Sequence, residues 1–193
     1  MERRDEILHI AGQLFSQRGY HATSMRELAR HLNLQGGSLY AHIASKEELL
    51  IEVVRQAAAR FLGVLEGLEG DPVAKIRALV RGHLRVIAEE LPRATVFFHE
   101  WKHLSPPFLK EARALRRRYE EGVQGVVQEG VDKGVFRTES ARLATLFLLS
   151  ALNWTYQWYR PEGPLSLEEI SEQYARLVLR ALGVWEGGED GEA

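Results

Sequence analysis

The sequence predicts an all-α protein with a short N-terminal three-helix segment and a larger helical body. Apolar residues recur at steps of three and four along most of the chain, which gathers them on one face of a helix. Ser24, Ser45 and Ser166 each stand three residues before a glutamate, and this spacing is typical of a capping box at a helix N-terminus. Strand-like alternation of apolar and polar residues does not recur in the sequence, which also has no internal repeat.

The N-terminal segment divides into three predicted helices. The first covers residues 3–18, and its inward face consists of Ile7, Leu8, Ala11, Leu14 and Phe15. The second begins after Ser24 and ends near His31, and the third opens at about Gln35. A long helix then begins at Lys46 and ends among the glycines at 63, 67 and 70.

Prolines and glycines divide the body into further helices. Asp71 and Pro72 form a helix start, because aspartate caps well and proline suits the first helical position. The predicted helices cover residues 72–90, 92–104, 106–134, 139–159 and 166–182. Together with the long helix they give about nine helices, three in the N-terminal segment and six in the body. We therefore predict a domain at 1–48, a second at 49–185 and a disordered acidic tail at 186–193.

The helix over residues 139–159 is apolar on almost every side. One face contains Leu143, Phe147, Ser150, Ala151, Trp154 and Trp158. The opposite face contains Leu148, Leu152, Tyr156 and Tyr159. A helix of this kind has no face left for water, so one side is expected to meet its own core and the other a partner. The pattern predicts a homodimer in which helices 139–159 and 166–182 of two copies form a four-helix contact.

Composition excludes several classes of protein. The chain has 193 residues, of which 45% are hydrophobic and 27% are charged, and it contains no cysteine, which excludes disulfides and thiolate chemistry. It has no run of eighteen apolar residues, and its N-terminus leads into an amphipathic helix, so we expect a soluble, cytoplasmic protein. Charges balance within residues 1–48, so any nucleic-acid binding must depend on where the cations lie.

Two short helices around a tight turn define a helix-turn-helix, whose second helix can enter the major groove of DNA. Within it the residues that carry a family resemblance are Thr23, Arg26, Leu28, Ala29, Gly37-Ser38-Leu39-Tyr40, His42 and Ser45-Lys46-Glu47-Glu48-Leu49. This combination resembles the DNA-binding domain of the TetR family, the tetracycline-repressor-like regulators. The resemblance implies a dimeric, ligand-responsive transcriptional repressor that binds a pseudo-palindromic operator, without enzymatic activity or a resident cofactor or metal.

The resemblance also assigns expected DNA contacts. Arg26 is the candidate for a base contact, because a guanidinium can bridge O6 and N7 of guanine. A solvated salt bridge is the alternative role for Arg26. The expected phosphate contacts and close-approach residues are Thr23, Gly36, Gly37, Ser38, Tyr40, His42 and Lys46. The sequence departs from the family's usual pattern at Gln35-Gly36 and at Ala41.

The body is expected to bind a small hydrophobic effector. The candidate ligand-binding residues are Phe97, Phe98, Trp101, His103, Phe108, Phe147, Asn153, Trp154 and Trp158. Asn153 stands out because an amide within an apolar run must find a polar partner, either internal or from a ligand. Residues 97–101 and 153–161 are similar to family members that sense fatty acyl or aryl coenzyme A thioesters. The phosphates of such a ligand would be bound by Arg113, Arg116, Arg117 and Arg118. The alternative is that these four arginines form a solvated helix face.

One motif indicates a different class of protein. His99-Glu100-Trp101-Lys102-His103 matches H-E-x-x-H, which on a helix places two imidazoles to bind zinc beside a glutamate base. A zinc-dependent hydrolase also needs a third ligand, which Glu111, Glu120 or Glu121 would have to supply. The alternative function is therefore a helical metal- or ligand-binding protein, and a hydrolase is the less favoured form of it.

Overall fold

The computed structural model describes residues 3–185, which are all-α and contain no strand. The α-helices are α1 (Arg3–Arg18), α2 (Met25–His31), α3 (Gly36–Tyr40), α4 (Lys46–Glu66), α5 (Pro72–Glu89), α6 (Leu91–His99), α7 (Pro106–Asp132), α8 (Ala141–Asn153), α9 (Thr155–Trp158) and α10 (Leu167–Ala181). A 3₁₀ helix, Glu100–His103, directly follows α6. If α8 and α9, which only Trp154 separates, are counted as one interrupted helix, the described residues contain the predicted number of nine α-helices.

Residues 3–61 and 89–117 form one compact unit of the described chain. Within it, α1 packs against α6 and α2, and α2 packs against α3. The largest fully buried side chains of this unit include Phe15, Leu28, Leu39, Leu50 and Phe61. The three N-terminal helices therefore share a core with α6 rather than forming a body separate from it.

Residues 62–88 and 118–185 form the second compact unit. Here α8 packs against α10, and α5 contributes the fully buried Ile76 and Leu79. Gly130 lies so close to the buried Phe136 ring that a Cβ atom there would stand 2.0 Å from a ring carbon. This approach fixes the turn that follows α7. None of the described helices combines the length and apolar character that a membrane span requires.

Only one of the three predicted capping boxes is complete. At Ser45 the hydroxyl accepts the Glu48 N–H, while the Glu48 carboxylate accepts the Ala44 N–H instead of the Ser45 N–H. At Ser166 the capping box is complete, since Ser166 Oγ accepts the Glu169 N–H and the Glu169 carboxylate accepts the Ser166 N–H. At Ser24 only half of it forms: the hydroxyl accepts the Glu27 N–H, while the Glu27 carboxylate pairs with Arg18. The full capping box predicted at Ser24 is therefore wrong, because a cation from α1 competes for the carboxylate.

Two predicted helices are also interrupted. The helix expected over 139–159 breaks at Trp154, and the helix expected over 92–104 ends in the 3₁₀ turn. The predicted boundary between residues 48 and 49 lies within α4, and that division stays a prediction. The acidic tail predicted at 186–193 lies outside the described residues.

Candidate nucleic-acid interface and effector site

A helix-turn-helix is present in the first unit. Asn33 adopts a positive φ of 52° between α2 and α3, and the Leu34 N–H donates to the Ala29 carbonyl oxygen at 2.8 Å. Asparagine tolerates this left-handed backbone better than most residues, so it suits the turn. Leu28 and Leu39 are fully buried, and each anchors one of the two helices to the core. The pair is thereby anchored to the core, with its other faces in solvent.

The solvent-facing residues of this helix pair include most of the predicted DNA contacts. Tyr40 is 55% exposed, an unusual position for a large aromatic ring. The other exposed members are Arg26, Gly37, Ser38 and His42. Gly36 is the first residue of α3, and a Cβ atom at Gly37 would meet no other group within 4 Å. A surface of small residues beside an aromatic hydroxyl and a guanidinium suits the approach of a DNA backbone.

Two predicted DNA contacts are internal in this conformation. Thr23 is 1% exposed, and its hydroxyl donates to the Gly19 carbonyl oxygen at 3.0 Å. A phosphate contact would require that hydroxyl to leave its partner. Lys46 Nζ donates to the carbonyl oxygens of Tyr20 and Thr23, each at 2.9 Å. Burial lowers the pKa of Lys46, and because an ammonium has three N–H donors, one remains for a further acceptor.

The charge on α2 favours an anionic partner on its exposed side. Arg26 and Arg30 are exposed and make no ion pair with any described residue. The one carboxylate of α2, Glu27, is paired with Arg18 of α1. The solvated salt bridge considered for Arg26 is therefore not formed, and two guanidinium groups one turn apart remain available for phosphates or bases.

The candidate ligand residues of the first unit surround an arginine. The Arg116 guanidinium carbon lies 5.1 Å from the Phe97 ring centroid and 5.0 Å from that of Trp101, within cation–π range. The Phe98 ring centroid lies 5.9 Å from the same guanidinium carbon. Arg116 Nη1 also donates a hydrogen bond to the Phe97 carbonyl oxygen at 2.8 Å. The Trp101 indole N–H is buried and has no hydrogen-bond partner among the described residues. Phe108 is half-buried on α7.

The candidate ligand residues of the second unit lie on α8 and α9. Asn153 Oδ1 is buried and lacks a hydrogen-bond partner within the described chain, as does the hydroxyl of Thr155 two residues later. Phe147, Trp154 and Trp158 are instead 62%, 63% and 40% exposed. Sequence reasoning missed Thr155, whose burial beside the break after α8 is visible only in the structure.

Arg113, Arg117 and Arg118 are exposed on α7.

The H-E-x-x-H residues are placed at the end of α6 rather than along one continuous α-helix. Glu100 is buried and accepts the Tyr20 N–H at 2.7 Å, while His99 Nδ1 lies 2.8 Å from its other oxygen. His103 Nδ1 lies 2.9 Å from His21 Nε2. Within residues 3–185 no group of three or more His, Asp or Glu side chains is arranged to hold a metal ion.

These features define a helix-turn-helix DNA-binding protein with an all-helical companion region, and comparison with known proteins agrees. Residues 7–53 match the family profile described as bacterial regulatory proteins, tetR family. Residues 69–182 match the profile described as tetracyclin repressor-like, C-terminal domain. The HTH-type transcriptional repressor KstR2 of Rhodococcus jostii (strain RHA1) is 33% identical over 190 residues, which cover 93% of this chain and 91% of that protein.

Solved structures show the same fold. The TetR family regulator PfmR from Thermus thermophilus has a TM-score of 0.85 at 37% identity, covering 93% of this chain and 98% of that chain. AibR, solved in complex with isovaleryl coenzyme A and operator DNA, has a TM-score of 0.84 at 24% identity and covers 91% and 97% of the two chains. The chain belongs to the TetR family. It is a DNA-binding transcriptional repressor of that type.

Proposed function

We propose that this repressor binds a pseudo-palindromic operator as a homodimer and is released by an acyl coenzyme A thioester. The observation that supports DNA binding is the exposed face of α2 and α3, where Arg26 and Tyr40 face solvent on a helix pair anchored to the core. Two such faces would contact successive major grooves about 34 to 36 Å apart or somewhat more. The role is regulatory, so it requires neither catalysis nor a resident cofactor, and it belongs in the cytoplasm.

The proposed dimer interface is the outer face of α8 and α10. Leu143 and Phe147 on α8 and Trp154 directly after it are each more than 60% exposed, and Leu177 on α10 is 59% exposed. Monomeric proteins rarely leave such a contiguous apolar surface in water. A groove of about 220 Å³ between the two helices is lined by Leu143, Phe147 and Val178 among others, and a facing side chain would fill it. A two-fold, self-complementary contact of these helices satisfies both observations.

The proposed effector class depends on polar atoms that lack partners among the described residues. Asn153 Oδ1 needs a donor, and the Thr155 hydroxyl can both donate and accept. An amide, as in the pantetheine arm of coenzyme A, offers a donor and an acceptor together. The first unit, taken by itself, offers a separate candidate position, because the unpartnered Trp101 N–H and the aromatic rings around Arg116 suit an acyl or aryl group with an adjacent carbonyl. The complex of the structurally similar AibR with isovaleryl coenzyme A supports this class.

Binding of the purified protein to its own upstream DNA, with and without a panel of acyl and aryl coenzyme A thioesters, tests the proposal. We expect tight binding that one thioester abolishes, because an effector shifts the equilibrium only if it binds the DNA-free conformation more strongly. If the protein binds the DNA and no thioester alters that binding, the assignment as a repressor stands and the proposed effector class is rejected.

A Tyr40→Ala variant separates DNA binding from the rest of the molecule. Because Tyr40 is exposed, its removal should lower operator affinity at least tenfold while dimerisation and thioester binding persist. Wild-type operator affinity in this variant would reject the proposed DNA face.

A further inference from the structure

The end of α6 is joined to the turn between α1 and α2 by four residues, Tyr20, His21, Glu100 and His103, which we call the Glu100 cluster. All four belong to the first compact unit. Tyr20 and His21 precede α2 of the helix-turn-helix, whereas Glu100 and His103 form the 3₁₀ helix after α6. The cluster is therefore a direct physical connection between the DNA-binding helices and the segment that carries Phe97 and Trp101.

The centre of the cluster is a buried carboxylate. The Glu100 side chain is 7% exposed, and Oε2 accepts the Tyr20 N–H at 2.7 Å. A buried carboxylate is stable only where donors satisfy it, and a backbone N–H that lost this acceptor would be left without a partner. The position of the 3₁₀ helix and that of the α1–α2 turn are therefore tied by a bond that is costly to break.

Ring contacts reinforce that bond. The Tyr20 and His103 rings stack with centroids 5.9 Å apart and planes 9° apart, and the His21 and His103 rings meet edge to face at 4.3 Å. The His21 Nε2 and His103 Nδ1 atoms are 2.9 Å apart, so one imidazole donates to the other. His103 thus contacts two residues of the α1–α2 turn. Its Nε2 atom also lies 3.8 Å from Glu100 Oε2.

The connection continues from Tyr20 to the start of α4. The Tyr20 carbonyl oxygen accepts a hydrogen bond from Lys46 Nζ, and the ammonium also lies 4.3 Å from the centroid of the Tyr20 ring. Tyr20 is therefore held from both ends, by Glu100 through its N–H and by Lys46 through its carbonyl and ring. A shift of the 3₁₀ helix would move Tyr20 and, with it, an acceptor of the Lys46 ammonium.

We propose that Glu100 and His103 are positioning residues that couple the end of α6 to the helix-turn-helix, so that DNA binding and the position of the 3₁₀ helix depend on each other. The proposal rests on the proposed function, because the effector is taken to act on the segment that contains Phe97 and Trp101. An effector that moves this segment pulls the Glu100 cluster and reorients the α1–α2 turn. By reciprocity, operator binding must restrain the 3₁₀ helix.

The chain offers a matched pair of variants for the test. His99 and His103 both lie beside Glu100, but only His103 contacts Tyr20 and His21. His103→Ala should therefore weaken the coupling between the two segments, while His99→Ala should leave it unchanged. Both imidazoles are at least partly exposed, so both variants should fold, which thermal unfolding checks.

Hydrogen–deuterium exchange of residues 97–105 is measured with and without an operator fragment selected from random double-stranded DNA. We expect operator DNA to slow exchange at least threefold in the wild type and in His99→Ala. The factor should be smaller in His103→Ala, which loses the ring contacts but keeps the hydrogen bond from the Tyr20 N–H to Glu100. The ratio of operator dissociation constants with and without isovaleryl or palmitoyl coenzyme A should be closer to one in His103→Ala than in His99→Ala, which should keep the wild-type ratio.

Two other outcomes would overturn the coupling. Equal protection by DNA in His103→Ala and the wild type would reject it while leaving the proposed function intact. A wild type that binds no operator would reject the proposed function and the coupling together. If Glu100→Gln, which keeps an acceptor oxygen for the Tyr20 N–H, retained more of the thioester response than Glu100→Ala, the hydrogen bond itself would be identified as the coupling contact.

Discussion

Arg26 is the residue on which base recognition is expected to depend, and Arg30 provides its internal comparison. Both guanidinium groups are exposed on α2, and neither is paired with a described carboxylate. The TetR resemblance assigns the base contact to Arg26 alone. Arg26→Ala should weaken binding to the preferred operator by about 1–3 kcal/mol and reduce discrimination at one base pair.

Competition binding against a set of single-base operator variants measures this discrimination. Arg30→Ala should weaken all operators to a similar extent or not at all, because a phosphate contact does not depend on sequence. Unchanged discrimination in Arg26→Ala would contradict the assigned role.

His83 makes the stability of the second unit depend on pH. Its side chain is fully buried, its Nδ1 lies 2.8 Å from the Tyr119 hydroxyl, and burial lowers its pKa to about 3. In the unfolded chain the pKa is about 6.5. As the pH falls below that value the unfolded state gains a proton that the folded state does not, so stability is lost between about pH 6.5 and pH 3.

The expected contribution of His83 is a slope of up to about 1.4 kcal/mol per pH unit in the free energy of unfolding. Urea unfolding at pH 7, 6, 5 and 4 should show a steeper loss for the wild type than for His83→Gln, whose amide does not titrate in this range. Parallel pH profiles of the two proteins would contradict this assignment.

At the scale of one element, α7 contains three glycines, of which Gly125 and Gly130 have opposite surroundings. A Cβ atom at Gly130 would stand 2.0 Å from the buried Phe136 ring, whereas at Gly125 it would meet nothing within 4 Å. Gly130→Ala should therefore destabilise the protein by about 1–3 kcal/mol through overpacking. Gly125→Ala should stabilise it by up to about 1 kcal/mol, because alanine favours the helix.

Thermal and urea unfolding of the two alanine variants give the comparison directly. A loss of stability in both would show that α7 is not in helical conformation at Gly125. A neutral Gly130→Ala would show that Phe136 does not pack against α7.

At the scale of the whole molecule, the outer face of α8 and α10 is expected to decide assembly. Phe147→Asp and Leu177→Asp place charges on side chains that are 62% and 59% exposed in the single chain. If these residues are buried between two copies, an unpaired charge there should disrupt the dimer and reduce operator affinity. Light scattering after size-exclusion chromatography measures the mass.

Leu165→Asp is the matched control for assembly. Leu165 is 42% exposed but lies in the connection before α10, so it belongs to neither of the two helices of the proposed interface. This variant should keep the mass and operator affinity of the wild type. If the Phe147→Asp and Leu177→Asp proteins remained dimeric, the dimer interface would have to lie on another surface.

The sequence by itself determined the all-α fold, the position of the helix-turn-helix and the two faces of α8. Helical spacing separated the two faces correctly: Leu148 and Leu152 of one face are buried, and Leu143 and Phe147 of the opposite face are exposed. Which of the two faces meets the core was decided by the structure. Local signals such as the Ser166 capping box and the Asp71-Pro72 start were sufficient because their partners lie within one helical turn.

Only the tertiary structure decided which polar residues have partners far along the chain. Nothing in the local pattern shows that Glu100 accepts the Tyr20 N–H or that Thr23 and Lys46 bond inward. The H-E-x-x-H pattern likewise predicted a function that depends on where each side chain points. Hydrogen bonds between residues eighty positions apart arise from helix packing, which periodicity cannot specify, and they determine which side chains remain available for DNA or a ligand.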